Sequence, residues 1–154
     1  MVRGVVVNIF LYLHFSEVIR GSEAIPPQVW ALTAFMFGLS LVIAWFKDIP
    51  DMEGDRRYRI MTLSLRLGPR RVFHSGLGLM TLCYAAMTLV GLNGLPGVNS
   101  GLFTTGHLSL ALLMGVVSRR INPQNKQSIT RYYRFVWSLF FAEYILFAAA
   151  CIIA

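Results

Sequence analysis

The sequence reads VWALTAFMFGLSLVIAWF from Val29 to Phe46, a run of eighteen residues without a charged side chain. A helix needs about 18 to 20 apolar residues to cross roughly 30 Å of hydrocarbon. The length and character of this run therefore predict a membrane-spanning helix. Polar, turn-forming residues lie on both sides of it, which indicates loops that lead to further helices.

Working outward, the chain contains four more apolar stretches, and two of them are only marginally long enough to span a bilayer. They are Val2 to Phe15, Val72 to Leu92, Leu102 to Val117, and Phe135 to Ala154. We therefore predict an all-α polytopic integral membrane helical bundle with about five transmembrane helices. The chain is expected to form a single membrane domain over residues 1–154.

The composition agrees with a membrane protein and excludes other classes. Of the 154 residues, 56% are hydrophobic and 14% are charged, and the mean hydropathy is +0.60. A soluble domain has about 25% charged residues, and a disordered chain is much less apolar. Both cysteines, Cys83 and Cys151, lie inside apolar stretches, which excludes a disulfide scaffold.

The positive charge is concentrated in two loops. The formal net charge is +7, and twelve of the fourteen Lys and Arg residues lie at positions 47–71 and 119–134. In so apolar a chain this pattern indicates a lipid bilayer as the partner, with no nucleic acid. The positive-inside rule predicts that both loops face the cytoplasm, or the stroma of a plastid.

The first apolar stretch is short and has two interpretations. The stretch has the three features of a secretory signal peptide. These are a basic residue near the start, Arg3, a short apolar run to Phe15, and a sequence similar to a cleavage site, Ser22-Glu23-Ala24. Alternatively, the stretch is the end of a spanning helix that begins before Met1. Asn8 and His14 interrupt the apolar run, so we expect the second interpretation, and with it a chain that is a fragment of a longer protein.

Four of the seven acidic residues lie in KDIPDMEGD, residues 47–55, directly after the apolar run Val29 to Phe46. Helical spacings of three, four and seven place Asp48, Asp51 and Asp55 on one face. Pro50 fits the first turn of a short helix, with Asp48 just before it. The sequence therefore predicts three carboxylates that converge at the end of a membrane span.

Three neighbouring carboxylates repel one another unless a cation holds them, and hard oxygen ligands suit Mg²⁺ completed by phosphate groups. Lys47, Arg56 and Arg66 are candidate contacts for the diphosphate of a substrate. The alternative is a solvated loop in which acids and bases pair with each other and the positive excess only fixes the topology.

Polar residues inside the predicted spans have a structural and a functional interpretation. Asn8 and His14 are expected to form interhelical hydrogen bonds. Glu143 either binds substrate or is protonated or hydrogen-bonded within the bundle. His74 and His107 are not placed to share a metal with the acids.

The segment from Lys47 to Asp55, with Tyr58 and the run Arg66 to Gly68, resembles the second aspartate-rich motif of the UbiA superfamily of intramembrane prenyltransferases. The form K-D-I-P-D-x-E-G-D is most similar to that of the homogentisate prenyltransferases. Residues Arg3 to Asn8 resemble their fifth helix, and Phe135 to Tyr144 resemble their last. The resemblance therefore extends over essentially the whole chain.

This resemblance implies a nine-helix fold around a central cavity, of which the chain would be the C-terminal half. It implies Asp48, Asp51 and Asp55 as catalytic residues and Mg²⁺ ligands. The first aspartate-rich motif of the family is missing, since no Asp precedes Asp48. We therefore expect an N-terminal half with that motif as a partner, and a chain that is inactive alone.

The implied reaction is transfer of a prenyl group, expected to be phytyl, from prenyl diphosphate to homogentisate with loss of CO₂, a step of tocopherol and prenylquinone biosynthesis. Other UbiA-type enzymes use 4-hydroxybenzoate, a naphthoate or a chlorophyllide as the aromatic acceptor. A different class of alternative is a non-catalytic membrane remnant or a cation-binding module.

Overall fold

The computed structural model describes residues 2–20 and 24–154, with side chains described for residues 6–19 and 24–154. The described backbone forms helices and no strands, which confirms the predicted all-α class for this part of the chain. The helices are α1 (Val2–Arg20), α2 (Pro27–Arg57), α3 (Leu63–Leu67), α4 (Pro69–Leu92), α5 (Ser100–Ser118) and α6 (Lys126–Ile152).

Four helices of the described residues, α2, α4, α5 and α6, are long and apolar enough to cross a membrane. The remaining predicted span, Val2 to Phe15, corresponds to α1. The apolar part of this helix, Val6–Ile19, is shorter than those of the other four. Helices satisfy their own backbone hydrogen bonds, which is the condition for crossing hydrocarbon. The architecture is that of a polytopic membrane bundle.

Helix α2 is the centre of the bundle and packs against α1, α3, α4 and α6, while α5 packs against α4 and α6. Phe35, Leu39, Val42 and Phe46 lie along α2 at spacings of three and four residues and are almost completely buried. This stripe faces the neighbouring helices. Packing of this kind, rather than a hydrophobic effect between helices, holds a bundle together in lipid.

The helices run antiparallel, so the bundle has two ends. Helices α2 and α5 end, and helices α4 and α6 begin, at one of these ends, which we call the motif end. At the opposite end the backbone N–H of Asn99 donates to the carbonyl of Ala150 at 2.8 Å, and the Gln28 side chain donates to the carbonyl of Pro96. These bonds tie the loop between α4 and α5 to α2 and α6.

Two predicted boundaries are wrong. Pro50 does not begin a separate short helix, because α2 continues through it to Arg57. A proline inside a helix removes only its own hydrogen bond, here the one to the carbonyl of Phe46, and the rest of the helix persists. Helix α6 begins at Lys126 rather than at Phe135, because hydropathy marks only the part of a helix that lies in hydrocarbon.

Some details of the first stretch lie outside the described residues. These are residues 22 and 23 of the cleavage-like sequence and the side chain of Arg3. The backbone of α1 continues past the predicted end at Phe15 to Arg20. The two interpretations of this stretch therefore both stay predictions.

Helices α2 and α4 approach closely at Gly76. A Cβ atom on Gly76 would lie 2.5 Å from Cε1 of Phe46. The Phe46 ring is completely buried and stacks on Phe73 with 5.6 Å between ring centroids. Because Phe46 has no free space to move into, this contact requires glycine on α4.

We expect Gly76→Ala to lower the stability of the bundle by about 1–3 kcal/mol, the usual cost of overpacking a filled core. Gly78→Ala is the matched control, since a Cβ there has no neighbour within 4 Å, and it should keep or slightly raise stability. Thermal unfolding of the detergent-purified proteins measures both. Equal losses for the two variants would contradict the Phe46 contact as the cause, since helix propensity favours alanine at both positions.

Candidate functional site

The predicted acidic face lies at the motif end, on the last turns of α2. Successive helical residues are about 100° apart, so Asp48, Asp51 and Asp55 fall within an arc of about 60°. Asp48 and Asp55 are half-buried and Asp51 is exposed, while Glu53 is exposed and lies on another face of the helix. The structure thus places the three aspartates on one helical face, although in a continuous helix rather than in a separate one.

Asp48 is electrostatically coupled to its neighbours. Its carboxylate is repelled by those of Asp55 and Asp51 and attracted by Lys47, and Asp55 is the strongest of the three charged neighbours. In the described part of the chain, no carboxylate of this segment forms an ion pair with Lys or Arg. The pairing of acids with bases that a simple solvated loop would show is therefore not present in these residues.

The fit of this face to a metal rests on the chemistry of its donors. All three side chains offer carboxylate oxygens, the ligands that Mg²⁺ prefers. Across residues 6–19 and 24–154, no group of three or more His, Cys, Asp or Glu side chains is clustered as a ready-made metal site. The donor set thus suits Mg²⁺, and the assignment of these residues as metal ligands stays a prediction.

The predicted phosphate contacts are distributed over two helices. Lys47 and Arg56 lie on α2 and Arg66 lies on α3, all exposed. Arg56 lines a shallow cavity of about 340 Å³ together with Arg59, Ile60, Met61 and Leu65. Arg66 does not line this cavity, so the cavity groups Arg56 with Arg59 and not with Arg66.

Arg59, another basic residue near the acids, adopts a backbone conformation that the sequence did not predict. It has a φ of 56°, in the left-handed region. The N–H of Arg59 bonds the carbonyl of Arg56, and the N–H of Ile60 bonds that of Asp55, which is the Schellman arrangement that usually places glycine at this position. Non-glycine residues held in this conformation are concentrated at functional sites, so Arg59 joins Arg56 as a candidate anion contact.

An aromatic layer closes the bundle just below the acidic face. Phe46 lies 5.6 Å from Phe73 and 5.7 Å from Tyr132, and Phe73 lies 5.2 Å from Tyr132, between ring centroids. All three side chains are buried. The acids are therefore at the boundary between an apolar interior and the polar end of the bundle.

Glu143 forms a buried pair with His107, which the sequence did not predict as its partner. His107 Nε2 lies 2.5 Å from Glu143 Oε1, and both side chains are completely buried. His107 Nδ1 lies 2.6 Å from the carbonyl oxygen of Phe103, so Nδ1 carries a proton and donates it. The hydrogen bond between His107 Nε2 and Glu143 Oε1 therefore joins α5 to α6.

This pair is far from the acidic face. Tyr132 of α6 is level with Phe46 of α2, as their ring contact shows, and Glu143 lies further along α6 while Asp48 lies just beyond Phe46. At 1.5 Å per residue the separation along the bundle is about 20 Å. Of the two interpretations of Glu143, the hydrogen-bonded role within the bundle is the one that the structure displays.

The other polar residues in the spans differ in their environment. The Tyr144 hydroxyl donates to Asn8 Oδ1 at 3.0 Å and joins α6 to α1, which confirms the interhelical bond predicted for Asn8. His14 is exposed, and its ring lies 5.6 Å from that of Phe15. The predicted interhelical bond of His14 has no counterpart among the described contacts.

Comparison with known proteins gives consistent matches over most of the chain. Residues 1–139 match the model of the UbiA prenyltransferase family. The chain is 40% identical to a homogentisate phytyltransferase of Synechocystis sp., over 97% of this chain and 48% of that protein. It is 39% identical to homogentisate phytyltransferase 1 of Arabidopsis thaliana, over 94% of this chain and 37% of that protein.

A homogentisate geranylgeranyltransferase of Triticum aestivum is 36% identical over 94% of this chain and 36% of that protein. The chain thus spans about half, or less, of the length of these relatives. No solved structure matches it.

Proposed function

The chain belongs to the UbiA prenyltransferase family, and from this premise we propose that it forms part of an enzyme that transfers a prenyl group, expected to be phytyl, from prenyl diphosphate to homogentisate. The observation that carries the proposal is the common face of Asp48, Asp51 and Asp55 at the motif end. The names of the relatives support homogentisate as the acceptor, since they share it while their prenyl groups differ.

In this proposal the three aspartates hold Mg²⁺, and Lys47, Arg56 and Arg66 contact the diphosphate. Bound Mg²⁺ would withdraw negative charge from the leaving diphosphate. The basic side chains hold the same group by ion pairs and fix its position. The bond between the prenyl carbon and the diphosphate oxygen breaks, and diphosphate leaves with the bonding electron pair. A bond from that carbon to a ring carbon forms, and this ring carbon releases its proton. The acetate side chain loses its carboxylate as CO₂ and takes up a proton, which leaves a methyl group.

The aromatic layer of Phe46, Phe73 and Tyr132 supports the same proposal. A prenyl carbon that gains positive character reacts with water unless water is excluded. The layer packs buried rings next to the acids, and an apolar environment of this kind would keep water away from the reacting carbon. The motif end thus combines a polar place for the diphosphate with an apolar boundary beneath it.

The proposal includes a further protein segment that supplies the first aspartate-rich motif, as the relatives are longer than this chain. An antibody against residues 47–71 tests it on native membranes. A band near twice 17.3 kDa is expected. A band near the mass of this chain would require a separate partner polypeptide or an inactive remnant.

We expect transfer to depend on Mg²⁺ at the cytoplasmic or stromal face, where the positive-inside rule puts the motif end. In sealed inverted vesicles that contain the full-length protein, external EDTA should abolish transfer of labelled phytyl to homogentisate, and excess Mg²⁺ should restore it. Vesicles of native orientation should resist external EDTA.

Acceptor competition completes this experiment. Homogentisate should take the label in preference to 4-hydroxybenzoate. Preference for 4-hydroxybenzoate would contradict homogentisate as the acceptor, but it would still agree with prenyl transfer as the reaction. Transfer that is unaffected by EDTA in both vesicle types would contradict the metal site.

A further inference from the structure

A groove between α5 and α6 opens at the motif end and is separate from the acidic face. Its volume is about 780 Å³, and all of its lining residues belong to α5, to α6 or to the loop between them. It is formed in part by Leu113, Val116, Arg120, Asn122 and Arg131. Apart from Tyr132, which also belongs to the aromatic layer, the residues of this groove have no role in the function proposed above.

The lining of the groove changes from apolar to basic along the bundle. Leu113 and Val116 lie on the last two turns of α5, with 47% and 53% of their surface exposed. Arg120 follows the end of α5, and Arg131 lies near the start of α6, both exposed. One groove thus offers an apolar wall on the side of the membrane interior and two guanidinium groups at its outer edge.

The position of the arginines fits the headgroup layer. Helix α6 has 27 residues, so it is about 40 Å long, roughly 10 Å more than the hydrocarbon core. The extra length lies at its polar start, since α6 from Phe135 onward is apolar apart from Ser138 and the buried Glu143. Arg120 and Arg131 are therefore level with the lipid headgroups.

Within residues 6–19 and 24–154, the charge of the two arginines is not compensated by an acidic side chain. The sequence contains no Asp or Glu from Arg56 to Ala142. Neither arginine forms an ion pair within the part of the chain that the structure describes. The groove therefore attracts an anion, and its apolar wall selects an anion that carries a hydrocarbon chain.

We propose that this groove binds an anionic phospholipid, whose headgroup phosphate is held by Arg120 and Arg131 and whose acyl chain lies along Leu113 and Val116. Arginine suits phosphate because its planar fork donates two parallel hydrogen bonds. The amide of Asn122 and the hydroxyl of Ser128 also line the groove and offer neutral donors to the headgroup. This site does not depend on the proposed prenyl transfer.

The test uses the full-length protein in vesicles of phosphatidylcholine and phosphatidylglycerol in equal parts, followed by detergent extraction and native mass spectrometry of the retained lipid. The wild type should retain phosphatidylglycerol in preference to phosphatidylcholine. The double variant R120Q/R131Q should reduce that preference at least about tenfold, because it removes the charge-assisted hydrogen bonds of both guanidinium groups to the phosphate.

The double variant K126Q/R134Q is the matched control. It removes the same charge from the same region, and both of its side chains are exposed but neither lines the groove. It should keep the wild-type preference for phosphatidylglycerol. The variant R120K/R131K, which keeps both charges, should retain a large part of that preference. Equal losses in R120Q/R131Q and K126Q/R134Q would overturn the proposal in favour of diffuse attraction to surface charge.

Two further outcomes bear on the ligand. Displacement of the lipid by excess inorganic diphosphate would overturn the proposal, because it would identify a site for a free phosphate group. If R120Q/R131Q does not fold, Val116→Trp fills the apolar wall at an exposed position and should also reduce phosphatidylglycerol retention. Unchanged retention in this variant would contradict the assigned path of the acyl chain.

Discussion

Replacing Asp48 with asparagine is expected to reduce prenyl transfer by about a hundredfold or more, the usual effect of removing one group that stabilises developing charge in a transition state. Asparagine keeps the size of the side chain and removes the negative charge that would hold Mg²⁺. Asp48 is half-buried and coupled to Asp51 and Asp55, so its loss should affect the whole acidic face. Initial rates with labelled phytyl diphosphate and homogentisate measure the change.

Glu53→Gln is the control for this experiment, because it removes one charge from the same segment on another face of α2. Its activity should stay within about threefold of the wild type, since an exposed charge on another face of the helix does not contact the metal or the diphosphate and acts only through solvent-screened electrostatics. Asp51→Asn and Asp55→Asn should resemble Asp48→Asn. Similar losses in Glu53→Gln would show that the total charge of the segment matters, and would contradict a site on one face.

Glu143→Ala is expected to lower the free energy of unfolding by about 3 kcal/mol, because it leaves His107 Nε2 buried without a partner. Both side chains are completely buried, so water does not replace the lost bond. The change should appear as a lower unfolding temperature of the detergent-purified protein.

Two companion variants separate the hydrogen bond from the charge and the volume. Glu143→Gln keeps a donor for His107 Nε2 and should cost less than about 1 kcal/mol, a typical value for hydrogen bonds between membrane helices. The double variant H107L/E143L removes both polar groups and should recover most of the stability lost in Glu143→Ala. The single variants H107L and E143L complete the comparison. If the stability lost in H107L/E143L equals the sum of the losses in these two variants, the two residues act independently.

Hydropathy alone predicted the helical class and the four long apolar helices, because spanning hydrocarbon requires long apolar runs, while the fifth predicted span corresponds to the shorter apolar part of α1. Helical spacing likewise predicted the common face of Asp48, Asp51 and Asp55, since only the helical repeat enters that argument. The starts of helices were predicted less well. Asn125 caps α6 by accepting from the N–H of Ser128, and this local bond begins the helix well before the apolar run.

The contacts that depend on how helices are rotated against one another could not be predicted. His107 and Glu143 are 36 residues apart, and their pairing follows from the packing of α5 on α6. The left-handed conformation of Arg59 also gave no signal, because glycine is the residue expected at that position of a helix end. In each case the tertiary structure selects a geometry that single residues do not favour.

The last buried residue of α2 is Ile49, and Pro50 leaves the carbonyl of Phe46 without its helical hydrogen bond. The two turns that carry Asp51 and Asp55 therefore contain no fully buried residue, and the partly buried Met52 is their hydrophobic contact with the core. Segments of this kind open locally at a small fraction of the global unfolding free energy. Amide exchange should be fast from residue 51 onward and slow before Phe46, so a ligand of the acidic face binds a segment that it must also order.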